Sequence, residues 1–196
     1  GCVVVVDKGH AVGIVTDRDI VTRLRRTWPA ERLTIHEGDA LKFNFGALGD
    51  DLRIVGNLPY NISTPLLFHL MEFAAHIRDM TFMLQKEVVA RMAAQPGSKA
   101  FGRLTVMLAP WVRVEPLFDI GTGAFSPPPR VISTFFALHP YASPPFAIQD
   151  HDVFARVVLA AFAQRRKTLR NSLAGLMDAA AIAAAGVDPA ARPETL

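Results

Sequence analysis

The string Asn57-Leu58-Pro59-Tyr60-Asn61-Ile62-Ser63 follows directly on the apolar run from Leu52 to Gly56. Its residue types suit work on an aromatic amine. The exocyclic amine of a nucleobase has two N–H donors and a lone pair delocalised into the ring, so it is a poor nucleophile. The Asn57 side-chain carbonyl and a backbone carbonyl near Leu58 can accept both N–H groups and favour a more tetrahedral, more nucleophilic nitrogen. Pro59 stiffens the turn, and Tyr60 offers a ring on which a base can stack for in-line attack. An ordinary strand-to-helix loop uses the same residues, because Asn and Pro are common in turns.

Three further places carry candidate chemistry. Asp39, after Glu37-Gly38, ends an expected strand beside the one that leads to Asn57, where a carboxylate can accept from an adenine amine; the alternative is a turn or cap residue. Phe125 stands before Ser126-Pro127-Pro128-Pro129, at the tip of a stiff loop suited to stacking on an unpaired base, or else as a plug under that loop. Arg165, Arg166, Lys167 and Arg170 lie together, and a continuous helix would put Arg166 and Arg170 on one face as a ridge for phosphates. A solvated charged face is the other reading of that cluster.

These residues need elements to hold them. The run Leu52 to Gly56 predicts a buried strand that stops at a turn, which puts Asn57 and Tyr60 at a strand's carboxyl end, where open α/β sheets take their ligands. Thr64 to Ala75 predicts a helix with Leu66, Leu67, Leu70, Met71 and Ala74 on one face, and Met80 to Leu84 a strand after it. Gln85 to Ala94 reads as a helix, Arg32 to His36, Arg113 to Phe118 and Val131 to Leu138 as strands, and Leu104 to Pro110 as either. The alternation predicts a doubly wound α/β sheet. Val3 to Val6 and Ala11 to Val15 are too close for a crossover and predict a hairpin. Pro140 to Pro145 is a candidate boundary, followed by one helical pattern from Asp152 to Leu176 and another at Ala179 to Ala185.

Composition narrows the classes. A chain of 196 residues, 51% hydrophobic, suggests one domain and an appendage. No apolar run approaches the roughly eighteen residues of a membrane span, so a soluble, cytoplasmic protein without a membrane partner is expected. Cys2 is the single cysteine and the six histidines lack ligand spacing, so no disulfide and no metal site are expected. A net charge of +3 and clustered cations fit a polyanionic partner.

Taken in order, Glu37-Gly38-Asp39-Ala40, Asn57 to Ile62, Phe82-Met83-Leu84-Gln85-Lys86-Glu87-Val88, Ala124 to Val131 and Gln164 to Asn171 resemble the ribosomal RNA adenine dimethyltransferases from about Trp28 onward. The resemblance implies a Rossmann-like S-adenosylmethionine-dependent methyltransferase sheet over 27–140 and a small all-α C-terminal domain over 146–196. It implies dimethylation of adenines in small-subunit (16S) rRNA, with rRNA or the small ribosomal subunit as partner to a monomer. Asp39 would bind the cofactor adenine, Asn57 would bridge cofactor and target amine with Leu58 and Pro59 shaping its turn, Tyr60 and Phe125 would sandwich the flipped base, and the cations from Arg165 to Arg170 would hold rRNA. The family's Gly-rich loop has no counterpart before Val3, and its ribose-binding acid falls on Val15, which has no acceptor; weak cofactor binding is therefore expected. About the first 25 residues instead resemble the end of a CBS repeat, whose nucleotide contacts would be Thr16 and Asp19, or form a plain strand and helix N-cap at Thr16 or Asp17; over residues 1–26 the cofactor-loop half is expected to be missing or replaced. Alternatives are a non-catalytic rRNA-binding or ribosome-assembly protein and an adenosine-nucleotide-sensing fragment.

Overall fold

The computed structural model describes residues 2–7, 10–15, 26, 34–164 and 167–196. Thr16, Asp19, Arg165 and Arg166, singled out above, lie outside them. The chain forms two compact units, one of residues 1–89 and 111–143, the other of residues 90–110 and 144–196.

The first unit is a seven-stranded sheet. Its strands are β1 (Cys2–Asp7), β2 (His10–Val15), β3 (Thr34–Gly38), β4 (Leu52–Asn57), β5 (Ile77–Gln85), β6 (Val112–Ile120) and β7 (Ser133–Pro140), in the order β3-β1-β2-β4-β5-β7-β6. The hairpin expected from the two valine-rich runs is present, with Asp7 opposite His10 and Val3 opposite Val15. Strands β2, β4 and β5 are parallel, and β7 runs antiparallel between β5 and β6.

Burial alternates along β4 with a strand's period of two, whereas β5 and β7 bury three residues in succession, Phe82 to Leu84 and Phe136 to Leu138. Leu52 and Ile54 on β4, Met80, Phe82 and Leu84 on β5, and Phe136 and Leu138 on β7 are almost fully buried, and the rings of Phe82 and Phe136 lie 6.1 Å apart. Helix α1 (Ser63–Met71) adds the buried side chains of Leu66, Leu67 and Leu70. Each such leucine contributes roughly 1.5–3 kcal/mol by leaving water. The opposite pleat keeps Arg53 and Val55 exposed on β4.

The junction between β5 and β6 holds helices α2 (Lys86–Met92) and α3 (Arg103–Leu108), so the ambiguous run at Leu104 is helical. In the second unit, α4 (His151–Phe162), α5 (Leu169–Ser172) and α6 (Ala179–Ala184) close over a small core of Ala161, Leu169, Leu173 and Ile182. The single helix expected from Asp152 to Leu176 is not formed. Thr168 is extended (ψ 159°), and the next two amides, Leu169 and Arg170, donate to the carbonyls of Ala191 and Pro189 at 2.9 and 3.0 Å instead of to a preceding turn.

Candidate active site

The cleft is built from the end of β4 outward. Leu58 is 1% exposed and so pins the chain to the core, while its neighbours Asn57 and Tyr60 stay at the surface, Tyr60 at 48%. The Leu58 amide donates to the carbonyl of Met83 on β5 at 3.3 Å, which continues the β4–β5 ladder one residue beyond the strand. Pro59 then opens a tight turn closed by Ile62 N–H to the Pro59 carbonyl at 3.2 Å, and the Ser63 hydroxyl donates to the Tyr60 carbonyl at 3.1 Å. The start of α1 is thereby tied to the turn that aims Tyr60.

Opposite this turn stands the loop between β6 and β7. A 3-10 turn at Thr122–Ala124 leads into Phe125, whose backbone is extended. Asn57, Leu58, Pro59, Tyr60 and Met83 from one side and Phe125, Pro127 and Pro129 from the other line a cleft of about 270 Å³. That volume lies just under the ~300 Å³ at which small-molecule pockets begin, small for a whole nucleotide cofactor. Phe125 is half-buried as a wall of the cleft.

The sequence profile of the family described as "Ribosomal RNA adenine dimethylase" matches residues 9–194. The protein named ribosomal RNA small subunit methyltransferase A in Thiobacillus denitrificans is 59% identical over 187 residues, which cover 95% of this chain and 73% of the relative. Its namesake in Aromatoleum aromaticum is 56% identical over 188 residues, 96% of this chain and 71% of the relative. The chain belongs to the ribosomal RNA adenine dimethylase family. Among solved structures, a dimethyladenosine transferase from Plasmodium falciparum superposes with a TM-score of 0.62 at 31% identity, covering 70% of this chain and 48% of that one. The 23S rRNA methyltransferase ErmE, at 23% identity, shares the fold with a TM-score of 0.64, covering 91% of this chain and 75% of that one. The adenine dimethylase match begins at residue 9, upstream of Trp28, and takes in all of β2.

Asp39 needs a correction. Its strand, β3, is not the neighbour of β4: β1 and β2 stand between them, because the valine-rich hairpin inserts with β2 against β4 and β1 against β3. Asp39 and Asn57 share one edge of the sheet but stand roughly 14 Å apart, three inter-strand spacings of about 4.8 Å. One Asp39 carboxylate oxygen accepts from the Leu41 amide at 3.0 Å, the side-chain turn foreseen as its alternative role, and the exposed carboxylate keeps lone pairs for a ligand. Of the basic cluster, Lys167 and Arg170 are described: Arg170 lies on α5, and Lys167 precedes its extended N-cap Thr168. Both side chains are exposed.

Several parts of the site were not foreseen. Met83 is in register with Asn57 across the β4–β5 ladder and supplies the floor of the cleft, but in sequence it is one more apolar strand residue. Lys86 and Asp119 pair at 2.6 Å, and Thr134 donates to the other Asp119 oxygen at 2.6 Å. The Lys86 ammonium first, and then the Thr134 hydroxyl, hold the Asp119 carboxyl below the usual carboxylate range. Among the described residues, the buried Ser133 hydroxyl at the foot of the same loop has no hydrogen-bond partner, no group of His, Cys, Asp and Glu could hold a metal, and no helix is long and apolar enough to cross a membrane.

Proposed function

We propose that this chain is the catalytic part of an enzyme that transfers methyl groups from S-adenosylmethionine to the exocyclic amines of adenines in small-subunit (16S) rRNA, in the cytoplasm. The observation that carries this reading is the cleft in which Asn57 and Leu58 meet Tyr60 and Phe125. The names of the relatives support the substrate. Tyr60 and Phe125 hold the base by its two faces, and the carbonyls of Asn57 and Leu58 accept its two N–H groups, so the nitrogen lone pair points away from the ring plane. After one transfer a single N–H remains, and one acceptor suffices to orient the second. A methylated ammonium is acidic enough to lose its proton to water, so a strong base is not required.

The chain's residues fit the two ends of the methyl donor: Asp39 suits its adenine amine, and Asn57 stands where the methyl end must meet the target. When bound, S-adenosylmethionine supplies the electrophilic methyl group. Lys167 and Arg170, with Arg165 and Arg166, suit rRNA phosphates, and a monomer is the proposed state.

The test is incorporation of radiolabelled methyl groups into unmodified small ribosomal subunits at millimolar cofactor. Asn57→Ala is expected to remove incorporation while leaving rRNA binding within about twofold, since it deletes an interaction with the reacting amine and not with phosphates. Equal loss of both would make Asn57 structural. A second reading, non-catalytic rRNA binding, is favoured by one feature: Val15, whose side chain has no acceptor, ends β2 beside β4. Binding to the subunit with no label in its adenines would select it.

A further inference from the structure

Phe125 sits in a loop of residues 121–132, and something must fix how far its ring stands from Tyr60. The prolines stiffen the loop internally but do not attach it to the sheet. Its stems are continuous with β6 and β7, whose ladders end at Ile120 and Ser133, and Lys86 adds a tie at that end. Lys86, the first residue after β5, donates its amide to the Ile132 carbonyl at 2.9 Å on the outgoing stem and its ammonium to Asp119 at 2.6 Å on the incoming stem. Asp119 in turn accepts from Thr134, its register partner on the outgoing stem. The two stems are therefore bound to each other and to the end of β5. That strand also carries Met83, whose carbonyl holds Leu58. A hydrogen-bonded path thus leads from the Asn57–Tyr60 turn, through β5, to both feet of the Phe125 loop.

We propose that Lys86 and Asp119 are positioning residues for the adenine cleft, a clamp that sets Phe125 at stacking distance from Tyr60. The proposal rests on the reading of the cleft as a base-holding site. An ion pair this exposed (side chains 55% and 44%) contributes little to global stability. Its leverage is local, on whether the loop opens. Asp119 is charge-paired on one oxygen and hydrogen-bonded on the other, so neither stem can leave without breaking a charge-assisted bond.

The test uses hydrogen exchange of the whole chain in Lys86→Met, Asp119→Ala and Lys86→Arg. The first two are expected to speed exchange of amides in 121–132 by about threefold or more, with the β4–β5 amides unchanged, and Lys86→Arg to restore protection. Unchanged loop exchange, or equal acceleration across β4 and β5, would overturn the clamp. A second arm uses single-stranded RNA carrying 2-aminopurine at the target position. Wild-type protein is expected to quench it by stacking, and Lys86→Met and Asp119→Ala to lose about half of that quench or more while anisotropy shows the RNA still bound. Wild-type binding without any quench would overturn the reading of the cleft and this role with it; normal quench in all variants would overturn the role of the pair alone.

Discussion

Two neighbouring residues with opposite environments, Leu58 in the core and Asn57 at the surface, make the cleft possible: the first holds the backbone so that the second need not. That Asn57, Tyr60 and Phe125 stand on turns was legible, because the prolines beside them end strands, and the structure brings all three to one cleft. Met83 and the Lys86–Asp119 pair were not, since apolar strand residues look alike and the pair is separated by 33 positions. The methyl-donor side rests on fewer groups. Val15 ends β2, and Ile14 is in register with Gly56, so position 15 stands at the same sheet edge as Asn57. Val15→Glu is expected to tighten S-adenosylmethionine binding by about ten- to a hundredfold, the yield of a charge-assisted hydrogen bond of roughly 1.5–3 kcal/mol to a ribose hydroxyl. Calorimetric titration of both forms checks it, and equal affinities would remove position 15 from the ribose site.

At the scale of elements, the alternation of strands and helices from Leu52 to Met92 was readable because the period of the apolar residues switches cleanly from two to 3.6 and back. The end of α4 at Phe162 was not, because the helical pattern reads on through the cations to Leu176. Where helix resumes at α5, its first amides, Leu169 and Arg170, donate to the distant carbonyls of Ala191 and Pro189. This makes Leu169 a joint between segments, 3% exposed and packed with Ala161, Leu173 and Ile182. Leu169→Ala is expected to destabilise the second unit by about 2–5 kcal/mol, as large-to-small substitutions in cores do. A lowered denaturant midpoint for helical circular dichroism, with the sheet's transition unmoved, is the signature; an unmoved helical transition would show that this core is not what holds the helices.

For the molecule as a whole, the strand order was the least legible feature, because a valine-rich hairpin carries no mark of which strands it will join. Its insertion separates Asp39 from Asn57 and stretches the proposed donor site along the edge. Charge, by contrast, was readable at once. If Lys167 and Arg170 each neutralise a phosphate of single-stranded rRNA, replacing either with Ala is expected to lower the slope of log affinity against log salt by about 0.7. Fluorescence anisotropy across a salt series measures this, and unchanged slopes would return both cations to the solvated-surface reading. The opposite edge of the sheet has its own consequence. Strand β6 is outermost, its register shifts between Pro116 and Phe118, and Leu117 and Phe118 are 47% and 58% exposed. An apolar border of that kind invites a second molecule to add its own strand, and a proline that offers no N–H beside a bulge is what discourages it. Pro116→Val is expected to make light scattering climb more steeply with concentration than in the parent chain, so that the colloidal behaviour of the whole solution hinges on one ring in the outermost strand; equal scattering would clear the proline of that role.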